Sequence, residues 1–193
     1  LTIGLGAGAD DFTIASTHGG TTTLDTNDGA DTVTVEGTSG ATTVTTGAGP
    51  DTVNVLGASA ALAVNTGGDA DTVNVSGMAA AVTIDTGTEN DTVNVFGTSA
   101  VLIVGTGAGA DTINVQSIGA AAVVNAGTED DTITVGSVAP GTGGTVNAIG
   151  GLLAVNGEGG TDTLYVDDRG DATSNIGTLT ATTLTGLGMA SGI

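Results

Sequence analysis

From residue 42 to residue 135 the chain alternates apolar and polar positions in short bursts separated by glycine. In Thr52-Val53-Asn54-Val55 the two valines fall on one face of an extended segment, and Thr52 and Asn54 fall on the other. The same parity recurs at Val73/Val75, Val93/Val95, Ile113/Val115 and Ile133/Val135, and near the start at Phe12/Ile14. A second burst precedes each glycine cluster and places Val44, Val64, Ile84, Val104, Val124 and Val155 in register. Period-two patterning rich in β-branched residues predicts strands, two in every unit. Small-residue turns carrying Gly37, Gly57, Gly77 and Gly97 separate them.

The bursts belong to a tandem repeat. Residues 46–55 read TGAGPDTVNV, 66–75 TGGDADTVNV, 86–95 TGTENDTVNV, 106–115 TGAGADTINV and 126–135 AGTEDDTITV. Asp31, Asp51, Asp71, Asp91, Asp111 and Asp131 therefore recur every 20 residues, with Asp10 standing 21 before Asp31. Asp162 follows Asp131 by 162 − 131 = 31 residues, which implies an insertion of about 11 within residues 136–151. An exact period places like residues above one another, as parallel strands about 4.8 Å apart. The expected fold is all-β: a parallel β-solenoid of about 20 residues and two strands per coil. Regular coils are expected over 1–135. A continuation over 136–193 is expected to hold the insertion loop and a segment that caps the stack or links it onward.

Composition changes what the solenoid can be for. Among 193 residues, 21 are Asp or Glu and one is Lys or Arg, for a net charge of -20. Such a chain has no basic cluster with which to neutralise phosphates, which excludes nucleic-acid binding. An anionic membrane repels it, and no apolar run reaches the roughly 20 residues of a membrane helix. Charge of one sign strains a compact state unless salt screens it or cations sit among the acids. Hydrophobic residues at 39%, in strand-like alternation, exclude disorder. With no cysteine there is neither a disulfide nor a thiolate site. The chain opens at Leu1 and reads as a piece of something longer.

The turn before each aspartate has the parts of an oxygen cage. Glycines such as Gly47/Gly49 and Gly107/Gly109 permit positive φ and let carbonyls turn inward, and the carboxylate follows directly. Carboxylates and carbonyls suit Ca²⁺, which takes 6–8 oxygen ligands, whereas zinc wants His or Cys and only His18 is present. Gly107-Ala-Gly-Ala-Asp-Thr-Ile-Asn114 resembles the G-x-G-x-D-x-U-x repeat of RTX (haemolysin-type) calcium-binding proteins. The chain is also similar to the glycine/aspartate solenoid arrays of very large bacterial surface proteins. That resemblance implies a right-handed β-roll and Ca²⁺ between successive coils at Asp10, Asp31, Asp51, Asp71, Asp91, Asp111, Asp131 and Asp162. RTX motifs recur every nine residues and mark both turns of a coil. Here only one turn carries the aspartate, so a single row of ions is expected. Asp69, Glu89 and Glu129 replace the second motif glycine and Asn27 replaces the first in another coil. These acids either add ligands or distort the cage, so the sites at Asp51 and Asp111 are expected to be the best formed.

Other features point elsewhere. Thr52/Asn54, Thr72/Asn74, Thr92/Asn94 and Thr112/Asn114 form polar ranks on one flat face, similar to the Thr arrays of ice-binding proteins. Outward Thr also simply suits strands, and stacked Asn side chains bond along a stack. Arg169-Gly170-Asp171 spells an integrin-binding tripeptide, but Asp167, Asp168 and Asp171 surround the only Arg, which favours local charge pairing or one further Ca²⁺. No nucleophile–base pair exists, and Phe12, Phe96 and Tyr165 are the only aromatics, so no enzyme is expected. The expected role is a Ca²⁺-binding structural module of a secreted or cell-surface bacterial protein, extracellular, joined head-to-tail to neighbouring solenoid modules. The alternatives are a flat binding face for ice or glycan, and the RTX-type tail of a secreted toxin or hydrolase.

Overall fold

Each burst of alternation forms a short strand, and the strands stack into two parallel sheets in the computed structural model, which describes residues 1–193. Strands are numbered in chain order. One sheet holds β1 (Thr2–Gly4), β3 (Thr22–Asp25), β5 (Thr42–Thr45), β7 (Leu62–Asn65), β9 (Val82–Asp85), β11 (Leu102–Gly105), β13 (Ala122–Asn125) and β15 (Leu153–Asn156). The other holds β2 (Asp11–Ile14), β4 (Thr32–Val35), β6 (Thr52–Val55), β8 (Thr72–Val75), β10 (Thr92–Val95), β12 (Thr112–Val115), β14 (Thr132–Val135) and β16 (Thr163–Val166). Odd and even strands therefore form separate sheets, as a parallel β-solenoid requires.

Register follows the repeat. Thr52, Val53, Asn54 and Val55 pair with Thr72, Val73, Asn74 and Val75, and the offset continues to Thr112–Val115. Across the insertion, Ala122 pairs with Leu153 and Thr132 with Thr163. The expected inward residues are buried and meet between the sheets in one hydrophobic cluster, with Val53, Val73 and Val93 facing the Val64, Ile84 and Val104 side, except Phe12 and Val155, which are half-buried and pack against it.

The two turns close this core differently. At the small-residue turn, Ala58, Met78, Ile118 and Ile149 plug the end with apolar side chains. At the glycine turn the plug is polar, with Thr26, Thr46, Thr66, Thr86 and Thr106 beside the aspartate column, all buried. The glycine turn also brings coils into main-chain contact. At Gly47 φ is +98°, and a Cβ there would lie 2.1 Å from the Asn27 carbonyl oxygen. Only glycine fits that combination of φ and approach.

The insertion leaves the stack after β14. Ile149 bridges to Ile118 and so restores the turn column before β15. Gln116 donates through Nε2 to the Ala139 carbonyl in that loop at 2.8 Å. Nearby Asn114, on the outward rank, is only 3% exposed. The outward Thr/Asn face is therefore accessible along the stack, Thr132 included, and covered at Asn114 alone.

Residues 177–186 depart from the coil pattern. β17 (Gly177–Leu179) and β18 (Leu184–Gly186) form an antiparallel hairpin. The chain then returns so that the Gly192 carbonyl accepts the Leu153 N–H at 3.0 Å. That bond repeats the one from the Ala122 N–H to the Leu152 carbonyl, and the Ala190 N–H on the Ile149 carbonyl repeats Gly150 on Ile118, so Met189–Ile193 resume the coil register beside β15.

Candidate functional site

The period brings Asp31, Asp51, Asp71, Asp91, Asp111 and Asp131 into one column, and each is only 1 to 2% exposed. Asp10 extends it at one end and Asp162 at the other, both half-buried. Within the column each carboxylate performs the same task. Oδ1 of Asp31 accepts the main-chain N–H of Asp10, Oδ1 of Asp51 that of Asp31, and Oδ1 of Asp71 that of Asp51, all at 2.8 Å. Asp91, Asp111 and Asp131 repeat the bond at 2.8 Å, and Asp162 closes the series on Asp131 at 3.1 Å. The column is thus a polar ladder that holds each coil to the next through a charge-assisted bond.

The second oxygen is different. Oδ2 of Asp10, Asp31, Asp51, Asp71, Asp91, Asp111 and Asp131 is buried and has no hydrogen-bond partner. A buried ionised oxygen without a partner is costly, and its carboxyl group holds its proton more tightly. Burial raises Asp51 and Asp111 above the ordinary carboxylate range. It carries Asp71 and Asp91 to about 6, against the lowering effect of the Thr66 and Thr86 hydroxyls and the neighbouring amides. Asp131 also reaches about 6, through burial and the charges of Asp111, Asp162 and Glu129.

Part of the turn's main chain is committed between coils. Gly47, Gly67, Gly87 and Gly107 carbonyls accept main-chain N–H groups of Gly68, Thr88, Ala108 and Thr128 in the following coils. The Thr66 carbonyl accepts the Thr46 hydroxyl at 3.2 Å, and the Thr86 carbonyl accepts that of Thr66. Nowhere do three acidic or histidine side chains converge. The oxygens left uncommitted at this turn include the carboxylate Oδ2 atoms, one per coil, and main-chain carbonyls such as those of Gly49 and Gly109.

Asp69, Glu89 and Glu129 keep the glycine-like conformation, with φ of 77°, 76° and 76°. Asp69 Oδ2 accepts the Gly49 N–H at 3.1 Å and Glu129 Oε2 accepts the Gly109 N–H at 2.9 Å. These acids sit on the exposed rim, away from the buried column, and Glu89 stands exposed beside them. The buried threonine column is the feature that sequence reasoning missed. Its signal was a threonine immediately before the first turn glycine at Thr46, Thr66, Thr86 and Thr106.

A second acidic group fastens the insertion. Asp167 Oδ2 accepts the Gly143 and Gly144 N–H groups at 2.6 and 3.0 Å, while Oδ1 takes the Arg169 Nε–H at 2.6 Å. Those bonds, the Arg169 one foremost, hold Asp167 down at about 2. Asp171 accepts from Thr173, Asn147 and Asn175. Both ends of the Arg-Gly-Asp tripeptide are therefore engaged internally. His18 serves its own loop by accepting the Gly20 N–H at 2.9 Å.

No family model matches the chain, and no curated protein matches it.

Proposed function

We propose that the chain is a non-catalytic structural module, a stiff spacer of a larger secreted or cell-surface protein, whose coils are locked together by Ca²⁺ along the aspartate column. The carrying observation is the row of buried, unpartnered Oδ2 atoms from Asp10 to Asp131. A stack of ionised oxygens one strand spacing apart repels itself unless a cation or a proton lies among them. At neutral pH groups raised only to about 6 are largely ionised, so a cation is the better counterpart.

The residues fit the ion in chemistry. The donors are all oxygen, from Oδ2 of successive aspartates, with the Thr46, Thr66 and Thr86 hydroxyls beside them. Ca²⁺ accepts such a set and is plentiful outside cells, where sites of about 10⁻⁴–10⁻³ M are filled. Asp69, Glu89 and Glu129 serve the rim of the turn in this reading. The repeat supplies length and stiffness, since each coil contacts only its neighbours and adds one strand spacing.

Circular dichroism and thermal melting during calcium titration, before and after EDTA, test this reading. Millimolar calcium is expected to raise the melting temperature of the chain and to have little effect on an Asp71→Asn/Asp91→Asn variant. Equal melting of the native chain in EDTA and in calcium would remove the metal from the proposal and leave a metal-free ladder.

A further inference from the structure

The outward face of the odd-numbered sheet carries a gap in the middle of the stack. Asn65 and Asp85 end their strands on this face, and so do Asn125 and Asn156, but β11 between them ends on Gly105. Among β2 to β16 it is the one strand that contains a glycine. Nothing in the main chain asks for it. Its φ is not positive, and a Cβ there would meet only the Ile84 carbonyl oxygen, at 3.9 Å. Glycine within a strand weakens it and marks a bulge, a bend or the close approach of another group, and β11 pairs in unbroken register on both sides. A second departure from the repeat meets the first. Glu158 stands two residues beyond Asn156, where the preceding coils have Gly107 and Gly127, and holds φ at 69°. Both departures line one cavity of about 320 Å³, with Asp85 one coil before Gly105, Glu158 two coils after it, and Ile103 and Asn125 beside them.

We propose that this notch binds a linear aliphatic polyamine, one ammonium on Asp85 and another on Glu158, with the carbon chain lying across Gly105 against Ile103. The charges choose the ligand. Neither carboxylate has a cation, because the chain's single Arg, Arg169, lies with Asp167 in the one salt bridge. A second copy has no further basic side chain to offer, so the occupant comes from elsewhere. A metal ion is the poorer match, since Ca²⁺ takes 6–8 oxygens and no third acid joins these two. The carbon chain has its own place. Ile103 is 40% exposed on the same strand and face as Gly105, and long amines lay their methylene stems on such surface while their charged heads stay in water. Asn125 Oδ1 accepts the Asn156 Nδ2–H at 2.7 Å, which fixes the wall between Gly105 and Glu158. A volume at the lower end of small-molecule sites suits one thin chain. The net charge of -20 attracts polyamines to every exposed acid, and only the notch adds the gap at Gly105.

Calorimetry with spermidine, at physiological ionic strength and in millimolar calcium, tests the site on the intact chain. One saturable site is expected. Gly105→Asn restores the rank without changing the charge, and it should abolish that site while melting no lower than the native chain. Asp85→Asn and Glu158→Gln should each weaken binding about fivefold, as the loss of one exposed ion pair implies. Glu36→Gln removes an equal charge at the opposite turn and should leave binding unchanged. Butylamine, with one ammonium, should bind about fivefold more weakly than spermidine or worse. Native binding by Gly105→Asn, equal losses in Glu36→Gln and Asp85→Asn, or no binding at millimolar spermidine would each overturn the proposal. Butylamine that binds as well as spermidine overturns it too, and gives the notch to a single ammonium such as a partner's lysine.

Discussion

The main-chain N–H of Asp51 donates to Oδ1 of Asp71 at 2.8 Å, while Oδ2 of the same Asp71 carboxylate is buried with no partner. One oxygen ties two coils together and the other is a liability that the fold carries in coil after coil. The two can be separated by substitution.

Asp71→Asn retains an acceptor for the Asp51 N–H and removes the charge. In EDTA it should melt at or above the native temperature. Asp71→Ala leaves the amide buried and unpaired and should cost about 1–3 kcal/mol. Urea unfolding of both variants in EDTA checks the order, and an alanine variant as stable as the asparagine one would contradict the ladder.

Without metal, stability should rise on acidification from pH 7. Asp71, Asp91 and Asp131 are raised to about 6 in the folded chain, against about 3.9 when unfolded. The folded state therefore takes up protons first, gains stability as pH falls through 6, and holds the full gain below about 4. Asp167, held at about 2, works the other way and loses its contribution between about pH 4 and 2. Melting in EDTA from pH 8 to 2 should pass through a maximum near pH 4, and a steady decline from pH 7 would contradict the buried column.

Glu89→Gly and Gly47→Ala should act in opposite directions. Glu89 sits at φ 76°, where glycine is at ease, so its replacement should stabilise by about 1 kcal/mol. Alanine at Gly47 meets both φ +98° and the Asn27 carbonyl at 2.1 Å, and should cost more than about 2 kcal/mol. Chemical denaturation of the pair measures both signs in one experiment.

Asp167→Ala removes the acceptor of the Gly143 and Gly144 amides. The insertion should then be cut faster in limited proteolysis, with the calcium response of the coils unchanged. Cleavage at the native rate would show that the loop is held by other contacts, such as Gln116 on Ala139.

The repeat by itself determined the strands, their inward parity and their register, because a period of 20 leaves one way to stack identical coils. It also put the eight aspartates on one side. Val53 over Val73 and Asp51 over Asp71 needed no other information. What a carboxylate does with its two oxygens depends on which main-chain groups remain free at the turn. That emerges only when Gly47 meets Gly68 and Thr46 meets Thr66 across coils. The tertiary structure likewise decided where the period is interrupted. Thr/Leu alternation at 177–186 suits a coil strand and a hairpin strand equally, and the antiparallel pairing of Gly177–Leu179 with Leu184–Gly186 chose the hairpin. Local pattern fixes which side chains point inward, whereas long-range main-chain pairing fixes which polar atoms are left over, and the candidate site is made of those atoms.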